Sequence, residues 1–394
     1  METKTIRELC DIVVDCPHST PKWTTSGKIV IRNNNIKKGR IDFSSPSYTD
    51  DEHFNLRVKR AIPRSGDIII TREAPMGEVG MIPERIECCL GQRMVLLRTN
   101  PDICDNYYLL YSLQSKFVQH QISWSEGTGT TVSNLRIPHL EQLKIPYVPL
   151  KKQRLVASVL KSIEEKIILN EQINNNLLQQ ASSIFKAWFI DPDISEHEDW
   201  QMVTLEDITS LVTRGIAPKY SDESDQIVIN QKCIRDHMLD LSPARKHLPK
   251  KINEKWLKKG DLLINSTGQG TLGRAAQIWF DPVNMTVDSH VTIVRPKNEK
   301  LIYYIGIWGI LHEREIESLH TGSTGQTELP RDRVKGLELL LPDENALDQF
   351  NSVVKLITEF IISNQNENIR LADLRDSLLP KLMSGEIDVS DINF

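Results

Sequence analysis

Apolar residues along this chain fall into two regimes. Short runs rich in β-branched residues, Ile29–Ile31, Asp67–Thr71 and Arg93–Arg98, are punctuated by Gly, Pro and Asn. That is the pattern of short strands closed by turns. A helix candidate follows at Tyr107–Gln121, then a turn-rich loop at Ser125–Thr131, then strand-like Leu143-Lys144-Ile145 ended by Pro146 and Pro149. From Lys151 the regime changes. Val156, Leu160, Ile163, Ile167, Asn170, Asn174, Leu177, Ala181, Ile184 and Trp188 step by alternating four and three, the seam of a coiled coil with a period of about 3.5 residues. No Gly or Pro lies between Lys151 and Phe189, so one unbroken helix of roughly 58 Å is expected.

The whole pattern then repeats. Ile29-Val30-Ile31 returns as Ile227-Val228-Ile229, Gly66-Asp67-Ile68-Ile69-Ile70 as Gly260-Asp261-Leu262-Leu263-Ile264, and Tyr107-Tyr108 as Tyr303-Tyr304. The seam returns as Phe350, Val354, Ile357, Ile361, Asn364, Asn368, Leu371, Arg375, Leu378 and Leu382, with both asparagines kept. A repeat near half the chain is too long for a solenoid. It describes two copies of one module, able to present similar surfaces about a pseudo-twofold axis, and duplex DNA is a partner of matching symmetry. Two matched seams pack most simply on each other, antiparallel, with their Asn steps meeting. A buried Asn lowers stability but excludes slipped pairings. The expected segments are 1–150 and 191–343 as modules, with helical spacers at 151–190 and 344–394; residues 191–200 form the joint.

A length of 394 residues fits two to three domains. The six cysteines contain no CxxC pair, which argues against zinc and disulfide frameworks and for a reducing cytoplasm. The start has no apolar secretory region, and the longest apolar run, Ile302–Leu311, is short of the roughly 20 residues of a membrane span. A net charge of −5 weighs against nucleic acid, but the charge is uneven. Cys16–Ile41 holds six Lys/Arg and no acid, and Arg245–Lys259 holds seven against Glu254 alone. Solvated loops also look like this, yet local basic patches are what phosphate binding needs.

Base reading needs forked donors and acceptors from Arg, Asn and Gln, with Ser and Thr beside them. In the first module Lys22, Trp23, Arg32, Asn33, Asn34 and Asn35 offer that mixture; Lys219, Tyr220, Asn230, Gln231 and Lys232 are the counterparts. Thr71, Arg72 and Glu73 stand opposite Ser266, Thr267 and Gln269. The Thr/Gly loops contribute Thr128, Thr130, Thr131 and Asn134 in one copy and Ser323, Thr324, Gln326 and Thr327 in the other. Lys37, Lys38, Lys250 and Lys251 fit phosphate clamps. The frameworks agree while the candidate readers differ, so two unlike half-sites are expected.

Catalytic motifs are weak. Gly268–Gly273 spells GxGxxG but lacks the following helix and the βαβ context. Asp288-Ser289-His290 has triad residue types without triad geometry, and Glu164-Glu165-Lys166 sits on the helix as surface charge. No metal site is expected.

Three local marks carry a family resemblance. Leu143–Leu150 runs into Lys151-Lys152-Gln153-Arg154, the Asn-rich helix ends Ser183–Phe189, and the second copy closes with Arg375–Ile387. With the doubled arrangement, the chain resembles the specificity subunit of type I restriction–modification systems; Lys152-Gln153 and Asp348-Gln349 stand where members often carry Glu-Gln. The resemblance implies an α+β fold: two pseudo-twofold-related mixed α/β target-recognition domains separated by two long antiparallel coiled-coil helices. It implies a non-catalytic subunit whose domains each read half of an asymmetric, bipartite DNA site. Two modification (methyltransferase) subunits would supply S-adenosylmethionine and adenine methylation, and motor–nuclease restriction subunits ATP- and Mg-dependent cleavage. The chain itself would bind no cofactor. A methylase-only system, or a coiled-coil scaffold that binds proteins, stays open as an alternative.

Overall fold

The computed structural model describes residues 2–37, 39–124, 134–192, 199–248, 251–268, 270–322 and 327–388. Lys38, Thr128, Thr130, Thr131, Lys250, Gln269, Ser323, Thr324 and Gln326 lie outside the described residues. The chain packs as two compact units, one of Met1–Ile168 with Asn368–Phe394 and one of Leu169–Glu367.

In the first unit a four-stranded antiparallel sheet is built from β1 (Cys10–Asp15), β2 (Ile68–Thr71), β3 (Val79–Met81) and β4 (Met94–Thr99), in the order β1-β4-β2-β3. β2 is buried along its whole length, as a β-branched run in a sheet centre should be. A second sheet pairs Lys28–Ile31 in parallel with Cys88–Leu90 and antiparallel with Ser47–Thr49. Thr3–Thr5 pairs with Lys144–Pro146, joining the two ends of the module. The long helix α1 (Leu150–Phe189) follows.

The second unit repeats this plan. β5 (Thr209–Arg214), β6 (Leu262–Asn265), β7 (Ala275–Gln277) and β8 (Val291–Pro296) form a sheet in the order β5-β8-β6-β7. Ile227–Ile229 again has a parallel neighbour, Met285–Val287. Gln201–Thr204 pairs with Glu338–Leu341, and α2 (Glu344–Ser384) follows.

The repeated Gly-Asp motif now has a physical reason. Gly66 and Gly260 turn the chain into each central strand with φ of +84° and +92°, a left-handed conformation that favours glycine. The Asp behind each glycine is buried and accepts a forked pair from an arginine on the adjacent strand. Arg98 Nε and Nη2 reach Asp67 at 2.8 and 2.7 Å, and Arg295 repeats both distances on Asp261. Each carboxylate also accepts the backbone N–H three residues before it, Arg64 or Lys258, at 2.8 Å.

The long helices run antiparallel within each unit. In the first, Asn368 Nδ2 donates to Ile167 O at 3.3 Å, Arg375 Nη1 to Glu164 at 2.9 Å, and Val156, Ala157 and Leu160 cluster with Leu382, Met383, Tyr108 and Tyr111. Glu164 also takes Arg40 Nε at 2.5 Å, so a charged triad docks the first module on its helices. In the second unit Asn364 Nδ2 donates to Asn174 Oδ1 at 2.8 Å, Asn174 Nδ2 to Ile361 O at 3.3 Å, and Asn170 Nδ2 to Glu367 at 2.7 Å. The seam asparagines are therefore paired across helices, as the repeat implied.

One stretch of the seam departs from the expected register. After Asn174 the buried positions are Leu178, Ala181, Phe185 and Phe189, while Leu177, Ile184 and Trp188 flank them half-buried. Ile163, Leu371 and Leu378 are likewise half-buried, whereas Val354, Ile357 and Phe350 are fully in the core. Here α1 packs not only on α2 but on Tyr304 of Ile302–Leu311. A helix serving two neighbours buries a wider stripe near its natural period of about 3.6, so the strict 3.5 pattern drifts.

Candidate nucleic-acid interface

Each unit gathers polar side chains where its central strands end. In the first, Arg72 follows β2; its N–H donates to Arg93 O at 2.8 Å and its carbonyl accepts Leu135 N at 3.0 Å. In the second, Ser266 follows β6; its N–H donates to His290 O at 2.8 Å and its carbonyl accepts Leu329 N at 2.9 Å. Strand register matches Asp15 with Arg214 as well: Val95 faces Asp15, and Thr292 faces Arg214. Five backbone positions therefore coincide between copies: Asp15 with Arg214, Arg72 with Ser266, Glu73 with Thr267, Arg93 with His290, and Asn134 with Glu328.

The chemistry placed on this common frame differs. In the first unit Arg72 donates to Asp15 (2.9 Å), Asn134 Oδ1 (3.2 Å) and Leu135 O (2.9 Å). Asn134 Nδ2 donates to Glu73 Oε1 at 2.7 Å, and Arg93 Nε pairs with Glu73 Oε2 at 3.2 Å. In the second unit the guanidinium comes from the other strand: Arg214 donates to Leu329 O at 2.7 Å and pairs with Glu328. Thr267 bonds His290 Nδ1 at 2.8 Å. A charged side chain thus holds the same carbonyl in both copies, supplied from opposite sides. Beside Arg214 and Glu328, a cavity of about 350 Å³ is lined by Thr213, Lys255, Pro330, Arg331 and Asp332.

Other sequence-predicted residues fall into three groups. Thr71 and Ser266 are buried and bonded internally, to Pro75 O and Thr292. Asn35 is buried and ties Arg32 N to Asp42 O, while Asn230 bonds Lys232 N and Pro243 O. These shape their turns, and Arg72, with only 12% of its side chain exposed, belongs with them. Asn33 reaches Glu73 O at 2.7 Å, and Gln231 accepts from Thr271 at 3.3 Å, so both lean on the polar cluster. Asn34, Lys37, Lys219, Lys232 and Lys251 are exposed. Lys22 is ion-paired with Asp50, and Thr327 is half-buried beside Glu328. Exposed Trp23 and Tyr220 each carry an arginine on the ring face, Arg32 at 5.2 Å and Arg245 at 3.6 Å. Such cation–π platforms suit nucleic acid in both copies.

Five residues of the cluster are absent from the sequence-predicted readers: Asp15, Arg214, Glu328, Arg93 and His290. For Arg93 and His290 the one available signal was their equal place one residue before β4 and β8. Asp288, beside His290, caps the turn by accepting His290 N at 2.9 Å, and burial pushes its carboxyl above the usual range. Within the GxGxxG stretch, 270–273 form a turn, with Gly273 N bonded to Asn265 O, and strand β7 follows where a dinucleotide fold needs a helix. All six cysteines are free and buried; burial pushes Cys10 and Cys88 up to about 12, and Cys89 and Cys233 to about 11, so these thiols stay protonated and inert. Among the described residues no His/Cys/Asp/Glu group could hold a metal, and no helix is long and apolar enough to cross a membrane.

The model of the type I restriction modification DNA specificity domain matches residues 1–179 and again 197–371. The type I restriction enzyme MjaIX specificity subunit of Methanocaldococcus jannaschii is 24% identical, over 96% of this chain and 88% of its own. The MjaVIII specificity subunit of the same organism is 23% identical, over 91% and 88%. The crystal structure of a type I restriction–modification S subunit from M. genitalium covers 97% of this chain and 95% of its own, with a TM-score of 0.52 at 17% identity, a likeness of fold. With both modules matched, this chain belongs to the type I restriction modification DNA specificity family, as a non-catalytic specificity subunit.

Proposed function

We propose that each module reads one half of an asymmetric, bipartite duplex target and directs adenine methylation, or cleavage, by partner subunits. One observation carries this reading: five equivalent positions cluster at the same strand ends in both copies while their side chains differ. A structural cluster has no reason to change its chemistry on an unchanged frame; two readers of unlike half-sites do. The helical segments would set the unspecified spacer. On this reading the chain works in the cytoplasm and binds no cofactor, leaving S-adenosylmethionine to modification subunits and ATP with Mg to restriction subunits.

The test is to produce the chain with its modification subunits and map methylated adenines by single-molecule sequencing. A split motif with unlike halves is expected; a perfect palindrome, or methylation without a motif, would sink the reading. Binding of cognate duplex should also fall steeply with salt.

Partner docking has its own candidate surface. On α2, Val353, Leu356 and Phe360 are exposed, the last two at 58% and 63%, and their spacing of three and four puts them on one helical face. A bare apolar stripe on a helix fits a partner subunit. Changing Leu356 and Phe360 together to serine should lower recruitment of a modification subunit about tenfold or more in a pull-down, without altering circular dichroism. Undiminished recruitment would remove the stripe from the interface.

A further inference from the structure

We propose that Arg93 and His290 are the base-reading residues of this pair of clusters, with Arg93 reading a guanine in the first half-site. The inference rests on the DNA-reading function above and names residues for it. Both stand on the same backbone position, fixed by the bond from their carbonyl to Arg72 N or Ser266 N. Both side chains reach solvent, 55% of that of Arg93 being exposed. Each is oriented by one neighbour from the next equivalent position: Glu73 holds Arg93 Nε at 3.2 Å, and Thr267 holds His290 Nδ1 at 2.8 Å.

What these tethers leave over is what a base edge needs. Among the described residues the terminal nitrogens of Arg93 have no acceptor, and His290 Nε2 has no partner. A guanidinium fork matches guanine O6 and N7 with two parallel bonds, whereas a single imidazole nitrogen makes one. Arg93 also sits at φ +65°, a left-handed conformation that costs a non-glycine residue energy and gathers at functional sites. The Arg72 and Arg214 guanidinia, by contrast, are tied to backbone and carboxylate and serve as positioning residues.

The test uses the chain assembled with its modification subunits and reads the methylated motif of Arg93→Ala, Arg93→Lys and His290→Ala. Arg93→Ala should reduce discrimination at one guanine of the first half-site by about tenfold or more, leaving the second half-site unchanged as an internal control. Arg93→Lys should fail in the same way, because a point charge lacks the fork. His290→Ala should relax one position of the second half-site only. If Arg93→Ala lowers methylation equally at all sites and keeps the parent motif, Arg93 is a phosphate contact and the proposal is overturned; a motif and methylation level both unchanged in Arg93→Ala overturn it too. Both results leave the parent motif standing, so they are distinct from failure of the DNA-reading function, which would show as no motif in the parent complex.

Discussion

Replacing Asp261 with alanine is expected to lower the stability of the second unit by about 3–5 kcal/mol. The carboxylate is fully buried, and the Arg295 side chain that it holds is 11% exposed. Removing the acid leaves a guanidinium in low dielectric with only the Glu254 and Trp256 carbonyls, and it also frees the Lys258 N–H that closes the turn into β6. Asp67→Ala in the first unit should cost less, because Arg98 is about twice as exposed, at 21%, and water screens the charge left behind. Urea unfolding with hydrogen exchange read at the β2 and β6 amides would assign each loss to its unit. Glu223→Ala, on an exposed loop, should stay within about 0.5 kcal/mol. A loss below about 1 kcal/mol for Asp261→Ala would show that the buried pair does not hold the strand.

Arg72→Ser should weaken binding of cognate duplex roughly tenfold to a hundredfold through the first half-site, and Asp15→Arg in the same chain should restore most of it. The single change removes three hydrogen bonds, one of them to a carboxylate, and leaves Asp15 with His18. Bonds to charged groups contribute about 1.5–3 kcal/mol each, and about 1.4 kcal/mol is tenfold in affinity. The double change copies the second module, where the arginine stands at the equivalent of Asp15 and a serine at the equivalent of Arg72. Strand register gives the new side chain the path that Arg214 takes to Leu329 O. Competition binding of the assembled complex, with second-half variants of the duplex as control, measures both steps. A double variant no better than Arg72→Ser would mean that Arg72 acts by touching DNA and not by holding Leu135.

Periodicity and repetition made the architecture legible. The strand runs, the two long helices, their antiparallel pairing and the partnered asparagines all follow from spacing, because burial of one face imposes a period on the sequence itself. Asp67 and Asp261 could be singled out as a repeated motif, but their arginine partners lie 31 and 34 residues away, and only strand pairing brings them together.

The candidate site was legible as regions, less so as residues. Arg72, a candidate base reader by type, is enclosed by Asp15, Asn134 and the Leu135 carbonyl, while Arg93 emerges beside it and His290 emerges at the equivalent place of the second unit, beside Ser266. Residue type announces what a side chain can donate. Which donors remain free is decided by neighbours distant in the chain, and here those neighbours are supplied by three strand ends and a returning loop. The same cause moved the helix seam to Leu178, Phe185 and Phe189, since a second packing partner widened the buried stripe. Sequence by itself determined the doubling, the elements and their order; the tertiary structure decided which polar groups are satisfied inside and which are left to meet a ligand, because a hydrogen bond is assigned by proximity in space.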